Sequence, residues 1–221
     1  MPFEQEMQEE IRKYTYSHLP NESWYETNFY PFIEDIEMRE RLKTEFINAR
    51  VIYKIFEGLQ AKDELLLAQI KTQVIMYVSI QEAVINYVLF ELNSSSDEVR
   101  KLLCYEKLIP IDIPKYKKEQ LEKILVHAEK EILTYYKDIK HLDKTKIRYE
   151  HKVNACFNLG LITEKLKDEL IQLYEYRNTV HLEAELRKKF TYDLNMGELA
   201  YRRVEGLSKV LSEKIQTGEI K

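Results

Sequence analysis

The stretch LLLAQIKTQVIMYVSIQEAVINYVLFEL, Leu65 to Leu92, decides how the rest of the chain reads. It holds neither glycine nor proline, so nothing in it breaks a helix. At a rise of roughly 1.5 Å per residue it is long enough to span a bilayer. Gln69, Lys71, Gln73, Glu82 and Asn86 interrupt its apolar run, however. Such interruptions mark the buried helix of a soluble bundle rather than a membrane span. Ile75, Val78, Ile85 and Leu89 recur near the helical period and are the expected core face.

Working outward, Asp63 and Glu64 favour a helix start by complementing the helix dipole. An earlier helix begins near Ile36, with Phe46, Ile47, Val51, Ile55, Phe56 and Leu59 at three- and four-residue steps, and stops near Gly58. Residues 1–34 form an N-terminal arm: a short helix near Glu4 to Tyr14, then the turn-rich HLPNESWYETNFYPF with Pro20 and Pro31. Trp24, Tyr25, Phe29, Tyr30 and Phe32 are expected to pin this arm onto the bundle; cover of a partner is the alternative.

On the other side, Asn93 to Ser96 breaks the long helix, and Asp97 can cap a short one ending near Tyr105. KLIPIDIPKYK, with Pro110 and Pro114, is an extended connection or small edge strand. A third long helix fits Lys117 to Lys140, and a fourth fits Lys144 to Leu159, closed by Gly160 as a left-handed cap. Thr163 caps the next helix, and a last one runs from about Asn195, with Glu198 in capping-box position, to Ile215. No repeat or linker divides residues 35–221, so the expected fold class is all-α, one up-and-down helical bundle with an aromatic arm.

Composition agrees with an ordered protein. Of 221 residues, 44% are hydrophobic and 33% charged, and glycine and proline number only five each. The net charge of −4 does not suit a protein that coats nucleic acid without specificity, although a local basic groove stays open. Cys104 and Cys156 fit no metal or redox spacing and read as reduced core residues. The acidic MPFEQEMQEEIRKY is unlike a secretion signal, so a cytoplasmic protein without membrane attachment is expected. There is no P-loop, dinucleotide fingerprint, Ser-His-Asp pattern or HExxH motif.

The most specific chemical signal is LKDELIQLYEYRNTVHLEAEL, Leu166 to Leu186. It reads as one amphipathic helix on which Arg177 and His181 lie one turn apart, beside Asn178. Arginine can hold a phosphate through its planar fork of donors, and histidine can move a proton near neutral pH. The alternative is structural: a salt bridge for Arg177 and a hydrogen-bonded interface residue at His181. A second feature is the basic run KDIKHLDKTKIRYEHK, Lys137 to Lys152, in which Lys144, Lys146, Arg148 and Lys152 are candidate RNA contacts or else a plain solvated turn. His151 is a minor catalytic candidate there. Asp138 and His141 are spaced for a weak metal site only, and no metal or other cofactor is called for.

The segment KVNACFNLGLITEKLKDELIQLYEYRNTVHLEAE resembles the HEPN superfamily in its order of parts: a helix, a Gly-Leu-Ile break, an amphipathic helix, then Arg-Asn followed by His and an apolar residue. The helix around IQEAVINYVLFEL is similar to an early bundle helix of that superfamily. Three residues separate Arg177 from His181, where the family generally has four to six. The resemblance implies an all-helical bundle that dimerises. It also implies a metal-independent endoribonuclease of a toxin–antitoxin, antiviral-defence or stress system, with Arg177, Asn178 and His181 as its site and RNA as substrate. An antitoxin or other protein partner is part of that expectation. The runner-up is a non-catalytic module using the same face for dimerisation or partner binding. A small-molecule-sensing bundle would instead need an apolar cavity beside Leu65–Leu92.

Overall fold

The computed structural model describes residues 2–125, 128 and 130–218. The long apolar segment forms helix α4 (Asp63–Tyr87), which continues through a π-helical turn over Val88–Leu92. Asn93 closes that turn, its backbone and side-chain nitrogens both donating to the Val88 carbonyl. Helix α3 (Ile36–Gly58) starts at Asp35, whose carboxylate accepts from the Met38 amide at 3.0 Å. Helix α10 (Leu194–Gln216) starts at Asp193 in the same manner. Both pack on α4, and α7 (Tyr149–Asn158) and α8 (Glu164–Thr179) add to its cover.

Val74, Val78, Val84, Ile85, Val88 and Leu89 of the central segment are fully buried. Ile75 is the exception to the expected core face, being 39% exposed. Of the most apolar window of Asp63–Leu92, 61% is buried inside the protein, as befits the core helix of a bundle. The apolar positions of α3 are a second departure: Phe46 is buried, but Ile55 and Leu59 face solvent.

The aromatic arm joins the core. It comprises α1 (Gln5–Tyr16) and α2 (Glu22–Asn28), the latter capped by Asn21. Tyr25, Phe29, Tyr30 and Ile33 are buried, and Trp24 stacks on Phe46 at 6.2 Å. Tyr30 adopts a left-handed backbone with φ of 50°, which is unusual for a bulky residue. The bundle holds it there. Its amide donates to Ser208 Oγ at 2.7 Å, its hydroxyl donates to the Val204 carbonyl at 2.8 Å, and Ser208 Oγ donates to the Asn28 carbonyl. Burial drives the Tyr30 hydroxyl pKa far upward, so it remains a donor.

Segment 97–141 departs most from expectation. Ser96, not Asp97, caps α5 (Asp97–Leu103), accepting from the Val99 amide. The chain then forms strand β1 (Cys104–Pro110), helix α6 (Lys115–Ile124) and strand β2 (Tyr135–His141). The strands pair antiparallel, with Cys104 opposite His141 and Pro110 opposite Tyr135. The helix expected over Lys117–Lys140 is therefore absent beyond Ile124; positions 126, 127 and 129 within it lie outside the described residues. Ile132, Leu133, Thr134, Tyr135 and Tyr136 are β-branched, aromatic or apolar residues that suit a pleated surface, and the proline-marked segment before α6 is already extended and offers a partner. The expected helix over Lys144–Leu159 is likewise shortened. Asp143 caps a 3₁₀ turn over Lys144–Lys146, and α7 begins only at Tyr149. Gly160, with φ of 73°, is the left-handed cap that the sequence indicates.

The depth of Ile85 sets a stability test. Ile85→Ala should cost about 2–5 kcal/mol in denaturant unfolding, and Ile75→Ala, at the half-exposed position, well under half as much. Equal losses at the two sites would contradict this placement of α4.

Candidate functional site

The segment carrying Arg177, Asn178 and His181 is not one helix. Helix α8 ends at Thr179, Val180 caps it, and His181 stands in extended backbone as the N-cap of α9 (Leu182–Lys188). Three interactions account for the break. The Thr179 hydroxyl donates back to the Tyr176 carbonyl at 2.7 Å, competing with helical continuation. The Tyr192 hydroxyl donates to Thr179 Oγ1 at 3.1 Å, holding that side chain 99% out of solvent at the bundle edge (1% exposed). Glu185 of α9 forms an ion pair with Lys71 of α4 at 2.6 Å, which directs the new helix. The one-turn stacking of Arg177 and His181 expected on a continuous helix is thus replaced by a junction.

At that junction Arg177 is half-buried. Its guanidinium lies 5.5 Å from the Tyr174 ring centre, and Nη1 donates to Asn178 Oδ1 at 3.3 Å. Tyr174 is itself stacked on Tyr149 of α7, with ring centres 4.4 Å apart. Burial lifts the Tyr174 hydroxyl above its ordinary pKa, Glu82 adds to the rise, and the Arg177 cation opposes it. His181 is exposed. Among the described residues neither Arg177 nor His181 has a carboxylate ion pair, so the salt bridge weighed as the alternative for Arg177 is not formed.

Asn178 faces a groove of about 340 Å³ between α7 and α8. Arg148, Tyr149, Glu150, Ile171, Tyr174 and Glu175 line the rest of it. The structure therefore brings Arg148 of the basic run to the same groove as Asn178. The rest of that run divides. Lys144 is paired with Glu91 at 3.1 Å, Lys146 is exposed, and His151 is exposed one residue beyond Glu150. Lys152 is a correction: it is 3% exposed, with its ammonium 5.8 Å from the Phe90 ring centre, and cannot serve as a surface phosphate contact. Burial lowers its pKa, Glu82 opposing the shift. Asp138 and His141, three apart on a strand, point to opposite faces; Asp138 pairs with Lys140 and His141 contacts Cys104 Sγ at 3.3 Å. Among the described residues no group of three or more His, Cys, Asp or Glu could hold a metal ion.

No protein-family model matches this chain, and neither a curated protein nor a solved structure does.

The burial of Lys152 can be checked directly. Lys152→Met keeps the aliphatic stem and removes the charge, so it should keep or raise the thermal midpoint. The sign of the pH effect follows from the lowered folded pKa. The unfolded chain holds the Lys152 proton more readily, so this residue adds stability as pH rises from its folded value toward about 10.4, the ordinary lysine value. That increment should vanish in Lys152→Met.

Proposed function

We propose that the α8–α9 junction is a phosphodiester site and that this chain is a HEPN-like, metal-independent endoribonuclease. The observation that carries the proposal is the set of cations left without carboxylates. Arg148 lines the groove, Arg177 contacts two of its lining residues, Asn178 and Tyr174, and exposed His181 stands at the junction; none of the three is ion-paired among the described residues. Arg202, Arg203, Lys71 and Lys144 elsewhere are each paired with a glutamate. An unpaired guanidinium keeps its forked donors for a phosphate. Glu150 and Glu175 also line the groove, and their charge opposes a phosphate there.

In this mechanism His181 takes the proton from the ribose 2′-hydroxyl as that oxygen attacks the adjacent phosphorus. The bond to the 5′-oxygen breaks, that oxygen takes up the proton now held by His181 and leaves as a hydroxyl, and a 2′,3′-cyclic phosphate remains. Arg177 stabilises the charge that develops on the non-bridging oxygens, and Asn178 holds the guanidinium in place. The helix break matters for the short Arg–His spacing. On a continuous helix, one residue more or less rotates a side chain by about 100°. Extended backbone at His181 frees the imidazole from that phase.

The non-catalytic alternative shares a feature with the enzyme: a self-association face. Leu182 and Leu186 follow His181 one turn apart and are each 69% exposed. Leu173, on α8, is by contrast fully buried within the chain. We propose that Leu182 and Leu186 pack against a second copy, bringing two junctions together. A cytoplasmic setting with an antitoxin or other activating partner belongs to the same proposal.

Arg177→Ala and His181→Ala should each abolish RNA cleavage without changing the circular dichroism spectrum, and activity should persist in EDTA. RNA lacking 2′-hydroxyls should resist cutting. Cleavage that survives both substitutions would eliminate this site. For self-association, light scattering should give twice 26.6 kDa, and Leu182→Glu should return the monomer. A wild-type chain that stays monomeric at high micromolar concentration would refute the dimer.

A further inference from the structure

A second cavity, of about 350 Å³, lies between α3, α4 and the start of α10, and shares no lining residue with the α7–α8 groove. Its size is at the lower end of pockets that hold small molecules, which run to about 300–1,000 Å³. Gly197 of α10 lets the helices approach here: a Cβ on it would stand 3.3 Å from the Gln73 Cβ. The walls are tyrosines from all three helices, Tyr53, Tyr77 and Tyr201. Tyr77 and Tyr201 have ring centres 5.6 Å apart, and burial raises both hydroxyl pKa values, that of Tyr201 to about 12. Both are therefore neutral near pH 7.

Arg50 on α3 completes the site. It is half-buried, with its guanidinium 5.1 Å from the Tyr201 ring centre. Nη1 donates to the Tyr201 hydroxyl at 2.5 Å and Nη2 to the His18 carbonyl at 3.0 Å. Tyr201 passes a hydrogen bond on to Glu205 at 2.7 Å. Among the described residues no carboxylate forms an ion pair with Arg50, whereas the other cations of the cavity are paired, Lys54 with Glu57 and Arg202 with Glu198. A guanidinium has five N–H donors, so Arg50 retains donors for a ligand. A half-buried guanidinium that directly meets a hydroxyl, a carbonyl and ring faces, with the Glu205 carboxylate held behind the Tyr201 hydroxyl rather than paired with it, can still take an anion beside it.

We propose that this cavity binds a small organic anion built on a planar ring, with the ring against Tyr53, Tyr77 and Tyr201 and the anionic group on Arg50. Carboxylates and phosphate monoesters both match the guanidinium fork. Two sources share this chemistry, aromatic carboxylic acids and nucleoside monophosphates. The site is independent of RNA cleavage, and the failure of either proposal leaves the other intact.

The test is calorimetric titration of the full chain with the four ribonucleoside 5′-monophosphates in one arm and with indole-3-carboxylate and 4-hydroxybenzoate in the other. Inorganic phosphate and acetate control for charge without a ring; adenosine and phenol control for a ring without charge. One arm should bind at one site per chain, at least tenfold more tightly than its controls, and Arg50→Met should lose at least tenfold in affinity. Should Arg50→Met fail to fold, amide shifts of the wild-type chain decide. Shifts confined to 50–57, 70–77 and 194–202 support the site; shifts centred on 148–150 and 174–178 overturn it. No binding by either arm at millimolar concentration, or equal binding by folded Arg50→Met, also overturns it.

Discussion

The packing of α4 depends on hydrogen bonds made by buried glutamines. Helices cover it on several sides, so buried polar groups there depend on partners from neighbours; the amide nitrogens of two glutamines find them, while Gln81 Oε1 and Asn86 Oδ1 have none among the described residues. Gln73 donates to the Ala49 carbonyl of α3 at 2.9 Å, and Gln81 donates to the Ala200 carbonyl of α10 at 2.8 Å. Each bond contributes only about 1 kcal/mol net, but leaving a buried donor without its acceptor costs about 1–3 kcal/mol. A slide of α3 or α10 along α4 would incur that cost, so the two bonds fix axial register as well as adhesion. The tyrosine-walled cavity exists because three helices hold that register, and Ser208 of α10 meets Tyr30 for the same reason.

Arg50 and Arg177 share an environment. Both are half-buried, neither is ion-paired among the described residues, and each lies over the face of a tyrosine, Tyr201 and Tyr174 respectively. A ring face attracts a cation without neutralising it or occupying its N–H groups. Two of the sixteen tyrosines thus seat guanidinium groups that have no ion pair among the described residues.

The helices with strong periodicity or a side-chain cap were legible in sequence. Asp63 and Glu64 marked the start of α4, Thr163 capped α8, and Gly160 ended the helix before it. The hairpin was not, because pairing is a long-range property: Tyr135 lies opposite Pro110, and neither residue alone announces the other. The break at Val180 and His181 depends on Tyr192 and on Lys71, remote in sequence from the motif. The same limit separates the motif residues from their groove. Asn178 and Arg148 were each candidates, but only tertiary packing makes them neighbours. A basic run says nothing of which lysine the following helix turns inward, so the burial of Lys152 is not legible in it. Arg50 carried no local signal, since its environment is assembled from three helices and the carbonyl of His18.

The lock on Tyr30 has a consequence for how the chain is made. A ribosome releases the aromatic arm first and the segment carrying Val204 and Ser208 some 174–178 residues later. Until then, Tyr30 lacks the two hydrogen bonds that hold its strained backbone, and one flank of the most apolar helix is uncovered. At about 5–20 residues per second, that interval lasts roughly 9–35 seconds. During it the nascent chain displays the sort of surface that chaperones recognise, and premature termination anywhere before α10 would leave that surface permanently open.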